Sequence, residues 1–402
     1  MKNILKSVCY ICFCISVNFA SGVHADSDFE KWKGEFYQEA LKKGISSAVL
    51  DKHIPKMELL ERVIQLDMKQ PEYLSDFYSF TQTRLTNQKI NQGQKMLDKY
   101  PTWLSRVEKK YGVQKEYLLA LWGMETNYGG FKGSVNMLNS LGSLAYHPRR
   151  RTFFTNELLA YFKILEKESS VAPDIGSWDG GFGHFQFMPT TFQAYAVDGD
   201  NNGRRDIVHN MPDAFSSAAN YLSRMGWNGM EPWGREVVLS DRFDWDVIQK
   251  NEAKPVSYWK KQGIKPKHLP DFPENELKTE AELRMPMGVS GPVFLTYPNF
   301  KLIMRWNKME LYALTAGLLA DSIMQRNTYP VQPDDYQALR TEDIMCMQGY
   351  LKDNKYLIED PDGRVGPKTR QALRRFQKDN QMVPDGYPNI NLLKNMGCYG
   401  ND

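Results

Sequence analysis

A chain of 402 residues is long for a single hydrophobic core and predicts two or three domains. Apolar residues make up 42% and aromatic residues 12%, which excludes a largely disordered protein. The formal charge of +3 shrinks once residues 1–25 are set aside, leaving 49 basic and 48 acidic side chains and excluding a general attraction to nucleic acid or anionic membrane.

Residues 1–25 read as a secretory signal: Lys2 and Lys6 start it, Val8 to Phe19 is apolar, and Val23-His24-Ala25 has the small residues of a cleavage site. The apolar stretch is short for a membrane span, and no later segment is a candidate, so no transmembrane anchor is expected. Cys12 and Cys14 lack the small-residue context of a lipid-modified cysteine, which favours a soluble exported protein. Beyond the signal only Cys346 and Cys398 remain. In an exported protein these suggest a disulfide, with two buried thiols as the alternative.

Residues 28–112 are polar and helical in pattern, with amphipathic pieces at Met57–Ile64 and Pro101–Tyr111. The next stretch, Leu118 to Gly130, is an apolar run that ends in one carboxylate, Glu125. Leu118, Leu119, Leu121 and Trp122 predict a buried helix, and Gly129-Gly130 a stop. Glu125 then falls in the last turn, where the helix dipole and apolar neighbours favour a neutral carboxylic acid. Such a group can donate a proton. A surface Glu near a helix end is the plainer reading of the same residue.

Helix signals alternate with Gly-rich aromatic loops up to about residue 230. Asn156–Lys167 places Leu158, Leu159, Phe162 and Leu165 on one face. Between 171 and 189, glycines alternate with Trp178, Phe182, His184 and Gln186, which suits a loop whose backbone approaches a ligand, or a structural loop with aromatic anchors. Asp213 is expected to cap a helix that runs to Gly226. Residues 231–300 predict a small irregular α/β subdomain with strands near 236–239 and 291–296. A helix follows over Lys308–Arg326, then a linker at 330–336. The rest, 337–402, forms a compact module with helices over 341–352 and 368–379.

Asp198, Asp200, Asn202 and Asp206 carry oxygen at alternate positions with Gly203 at the sixth, as in the start of a calcium loop. His209 stands at the twelfth position where an acid should close the site, so only a weak metal site is predicted; such a turn is also stable without metal. No Cys/His cluster of zinc spacing occurs, and no Gly-x-Ser-x-Gly or phosphate-binding loop. A solitary acid among Gly and aromatic loops fits carbohydrate chemistry, where a glycosidic oxygen needs a proton donor. Asp174 and Asp179 are the nearby options for a second carboxylate.

The sequence resembles the B-type lytic murein transglycosylases. The matching residues run through Gly123-Met-Glu-Thr-Asn-Tyr-Gly129, Pro148-Arg-Arg150, Gly176-Ser-Trp178, Gln186-Phe-Met-Pro189, Ala194-Tyr-Ala-Val-Asp198, Ala219-Asn-Tyr-Leu222, Tyr297-Pro-Asn-Phe300 and Arg305-Trp-Asn307. The module resembles a three-helix peptidoglycan-binding domain through Asp362-Gly-Arg-Val-Gly-Pro-Lys-Thr369 and Ala372-Leu-Arg-Arg-Phe-Gln377. The resemblance implies a mainly α, lysozyme-like catalytic domain over 26–329 that includes the 231–300 subdomain. It implies cleavage of the MurNAc–GlcNAc β-1,4 bond without water, giving 1,6-anhydro ends, with Glu125 as acid and then base. The substrate's N-acetyl group would take the place of the missing second carboxylate. By position, Ser177, Gln186, Tyr221 and Asn307 would orient that group or the sugar, and Arg149, Arg150, Trp306 and Tyr312 would line the groove. His184-Phe185 is bulkier than the residues often found before the Gln and predicts a narrower groove. No cofactor is required, and calcium is the one metal expectation. The partner is the glycan strand of peptidoglycan, met in the periplasm. The rival readings are a hydrolytic muramidase of the same fold and a catalytically inactive wall-binding protein.

Overall fold

In the computed structural model the described residues are 20–69, 76–248, 252–326, 329–334 and 336–399. Most of the proposed signal, residues 1–19, lies outside them. Among the described residues, no helix is long and apolar enough to cross a membrane.

Helices build the larger domain around one core that extends from Phe29 to Ile323. At its centre lies the helix Lys115–Thr126, in which Glu116 through Gly123 are all buried. A helix apolar on every side needs neighbours on every side. Asn87–Lys99, Pro101–Tyr111, Met211–Arg224 and Glu310–Ile323 supply them. Gly93 is one reason they approach so closely, because a Cβ there would meet Ile323 at 2.7 Å and Tyr128 at 2.5 Å.

The 231–300 region is more regular than its composition suggests. It holds a five-stranded antiparallel sheet in the order Lys254–Pro255, Glu280–Arg284, Val293–Thr296, Gly234–Val238, Lys265–Pro266. Leu283 pairs with Leu295, and Glu236 with Phe294. A separate core of Val256, Trp259, Ile264 and Leu295 lies against this sheet. The chain leaves it through a helix at Pro298–Trp306 that was not expected, ahead of the expected one, which spans Glu310–Ile323. Pro298 sits in its first turn, and Asn299 anchors it, since its amide donates to the carbonyls of Asn228 and Glu231 at 2.8 Å each. That anchor fixes where Trp306 emerges.

The C-terminal module has helices at Thr341–Asp353, Pro367–Asp379 and Ile390–Asn395. Cys346 and Cys398 are joined in a disulfide. The buried Gln348 ties the Asp362-Gly-Arg turn to the first helix, donating to Asp362 Oδ1 and accepting from the Asp362 and Gly363 N–H groups. The module rests on the sheet subdomain at Gly288 (φ +66°), where a Cβ would collide with Asp385 and Tyr387, and the Val289 N–H donates to Asp385 at 3.0 Å.

Two helix boundaries differ from expectation. Lys115–Thr126 stops before Gly129, because Asn127 (φ 51°) and Tyr128 (φ 59°) already take the left-handed conformation. Asn is among the few non-glycine residues that adopt it readily. Asp213 does not cap its helix: Asn210 does, with its side chain accepting from the Asp213 N–H, and Asp213 is left for another task.

Candidate active site

The central helix delivers Glu125 half-buried in its last turn. The end of this helix is locked from below. Thr126 Oγ1 donates to the His184 carbonyl at 2.9 Å and accepts from the Gly129 N–H at 3.0 Å. Gly123 has no room for a Cβ because the Tyr128 ring folds back over it at 2.7 Å.

Two side chains from the later helices meet the carboxylate. Trp306 Nε1 donates to Glu125 Oε1 at 2.8 Å, and the Tyr312 hydroxyl donates to the same oxygen at 2.5 Å. Burial first, and then the charge of Glu125, push the Tyr312 phenol well above its ordinary range, so it stays a donor. Neither partner is near Glu125 in sequence. Both were expected on the groove wall, and both donate to the Glu125 carboxylate.

Trp306 also closes an aromatic cluster. Its ring lies 5.1 Å from Tyr221, 5.6 Å from Phe187 and 6.1 Å from Phe185. Phe185 and Phe187 flank Gln186, whose own backbone is left-handed (φ 50°). The cluster therefore brings Glu125, Trp306, Tyr312, Tyr221 and the Gln186 loop into one neighbourhood. Gln186 Nε2 donates to the carbonyls of Gly183 and Lys132, while its Oε1 makes no hydrogen bond to a described residue. Asn307 Oδ1 accepts from the Met309 N–H at 3.0 Å. Ser177 sits in the same hairpin as Gln186, accepting from the Gly181 N–H and donating to Asp179 Oδ1 at 2.6 Å. Asp179 is thereby engaged in the hairpin, and Asp174 is exposed.

Other expectations change. His184 and Phe185 do not narrow a groove: their side chains are 9% and 1% exposed and point into the core. His184 Nδ1 accepts from Trp122 Nε1 at 3.0 Å. Burial, then Lys132 and His209, bring its pKa down to about 4, so the ring is neutral at pH 7. Arg149 and Arg150, expected along the groove, share one acid. Both pair with the buried Asp67, Arg149 at 2.5 Å and Arg150 at 3.2 Å, and Arg150 also stacks on Phe153 and Phe154.

The acidic loop gathers three carboxylates. The carboxylates of Asp198, Asp200 and Asp213 converge, with ligand atoms within 4.8 Å of one another. Loop backbone N–H groups hold all four expected residues: Asn202 Oδ1 accepts from Arg204, Asp206 Oδ1 from Val208 and His209, and Asp198 and Asp200 from Asn202. Three converging carboxylates fit a hard, oxygen-seeking cation. Asp213, beyond the twelve-residue pattern, was not among the residues expected to hold calcium. The clue was Asn210, a good cap three residues earlier, which frees Asp213 to face the loop.

Comparison with known proteins places this geometry. Residues 28–321 match the model of the transglycosylase SLT domain. The chain belongs to this transglycosylase SLT family. Residues 340–396 match a peptidoglycan binding domain. The crystal structure of SltB3 from Pseudomonas aeruginosa in complex with NAG-NAM-pentapeptide superposes with a TM-score of 0.84 at 35% identity, covering 92% of this chain and 99% of that one. Membrane-bound lytic murein transglycosylase B of Escherichia coli K12 is 26% identical over 251 residues, covering 60% of this chain and 65% of that relative, so the chain spans just under two thirds of its length. Slt35 of Escherichia coli, in complex with calcium, shares the lysozyme-like fold at a TM-score of 0.61 and 22% identity, covering 73% of this chain and 92% of that one.

Proposed function

We propose that the chain is a peptidoglycan lytic transglycosylase that cleaves the MurNAc–GlcNAc β-1,4 bond without water, with Glu125 as its single acid/base. The observation that carries this reading is the pair of donors on one carboxylate oxygen. With Trp306 Nε1 and the Tyr312 hydroxyl both on Oε1, the carboxyl proton is directed to Oε2. Oε2 delivers it to the glycosidic oxygen as the C1–O bond breaks, and the GlcNAc hydroxyl leaves. The substrate's own N-acetyl oxygen stabilises the charge at C1. The MurNAc C6 hydroxyl then attacks C1 and returns its proton to Glu125, so no water is consumed. The same two donors stabilise the carboxylate between the steps.

Gln186 Oε1 and the Asn307 amide suit an N-acetyl group, which offers one N–H and one carbonyl. Tyr221 supplies an aromatic face beside Trp306. A cation at Asp198, Asp200 and Asp213 would brace the loop that supports His184 and would take no part in proton transfer. The 1–25 segment would direct export to the periplasm, and the C-terminal module would hold the enzyme on the wall.

Mass spectrometry of digested sacculi tests the reaction. The expected ends are one water lighter than reducing ends; ordinary reducing ends would replace this reading with a hydrolytic muramidase. Deleting 331–402 should weaken co-sedimentation with sacculi and leave the product chemistry intact, and equal sedimentation would refute the anchoring role.

A further inference from the structure

A cavity of about 660 Å³ lies where the C-terminal module meets the catalytic domain and its sheet subdomain. Its charged walls are unequally satisfied. The acids are committed elsewhere: Asp76 caps its helix through Ser79, Glu310 pairs with Arg284 at 3.1 Å, and the buried Asp385 accepts from Gln377, Tyr387 and Val289. Of the cations, Arg284 is paired but three others are not. Lys308 and Arg374 make no hydrogen bond or ion pair with a described residue, and Arg374 Nε is buried without a partner. Arg370 meets no acid: it reaches the Met285 and Pro286 carbonyls, both at 3.4 Å, and lies over the Tyr387 ring.

Arg370 and Arg374 are one turn apart on the helix Pro367–Asp379, so two positive charges lie side by side at the cavity wall. Burial, and then Arg370, lower the pKa of Arg374. The nearby charge of Asp385 only partly offsets this, and that carboxylate makes its hydrogen bonds to other groups, so the partly buried guanidinium stays costly. A carboxylate would relieve that cost, because its two oxygens match the planar fork of an arginine. The cavity is also lined by Phe77, Met309 and Ile344, which suit small apolar side chains. The chemistry called for is thus a short peptide with free carboxylates and little bulk.

We propose that this interdomain cleft is a second substrate-binding site, which takes the carboxylate-bearing stem peptide of peptidoglycan through Arg370, Arg374 and Lys308. The choice of ligand rests on the proposed activity towards peptidoglycan; the anion preference rests on the cleft alone. A peptide held there would let the C-terminal module recognise wall material together with the catalytic domain, not as a separate tether.

The test is calorimetric titration of the full-length protein with free stem pentapeptide, which carries no sugar and so does not report on the glycosidic site. Wild type should bind it. Arg370→Met/Arg374→Met should weaken binding by roughly tenfold or more, the usual effect of losing a charge-assisted pair. The same peptide with its carboxylates amidated should bind wild-type protein equally poorly, a comparison that needs no folded variant. Anhydro-end formation on peptide-free glycan should be unchanged in the double variant. No binding by wild type, equal binding of the amidated peptide, or full displacement by inorganic phosphate would overturn the proposal, while leaving the product analysis to judge the activity by itself.

Discussion

The molecule handles carboxylates in two ways. Asp198, Asp200 and Asp213 are gripped largely by amides: Asp213, for example, accepts from the Gly199 and Asp206 N–H groups at 2.7 and 2.8 Å. Glu125 is met by an indole N–H and a phenol O–H carried on separate helices. Backbone amides fix a loop and cannot move without it. Side-chain donors can follow a carboxylate through a change of charge, which proton transfer requires. His184 joins the two regions, because its N–H donates to Ile207 of the loop while its ring and carbonyl hold Trp122 and Thr126 of the central helix.

The contrast is sharpest at Glu125 itself. Glu125→Gln keeps the shape and removes the acid, and turnover of sacculi, followed as release of anhydro-muropeptides, should fall by about a thousandfold or more. Unchanged turnover would show that the site carries no proton chemistry. The joint between the regions should fail in acid. The pKa of His184 is depressed to about 4 from 6.5, so the fold favours the neutral ring: its contribution is complete above pH 6.5 and is lost as the pH falls towards 4. That contribution is on the order of 3 kcal/mol. Thermal melts across this window should show an acid limb in wild type that is shallower in His184→Gln; identical limbs would mean that other groups set acid stability.

Smaller effects separate the donors from the loop. Tyr312→Phe should reduce kcat by roughly ten- to a hundredfold with little change in KM, as expected when an interaction with the reacting acid is lost. A change confined to KM would return Tyr312 to the groove wall. Asp213→Ala should cost about 1–2 kcal/mol of stability by leaving two N–H groups unmatched. It should also abolish any rise in melting temperature on adding calcium, with kcat nearly unaltered. A large fall in kcat would mean that the loop takes part in catalysis.

Much of this contrast was visible in the sequence on one side and hidden on the other. Glu125 stood out because an all-apolar helix ended in a single acid, a local pattern. Its partners could not be found that way, since Trp306 and Tyr312 follow the whole sheet subdomain and their approach depends on Asn299 anchoring a separate helix. The resemblance placed them in the site but on its wall. Asp213 was taken as the cap that Asn210 provides, and propensity alone does not say which carboxylate a folded loop will draw inward. His184-Phe185 looked obstructive because side-chain direction in a Gly-rich hairpin is set by the left-handed backbone at Gln186, not by residue size.

The disulfide has a consequence for the order in which the protein matures. Cys398 lies beyond the last helix of the C-terminal module, and its partner Cys346 lies in the first. The module is therefore sealed only after its final segment has reached an oxidising compartment. A chain still being threaded across a membrane, or held in a reducing one, has this module unclosed. Under the proposed anchoring role, secure attachment to the wall would await this last bond.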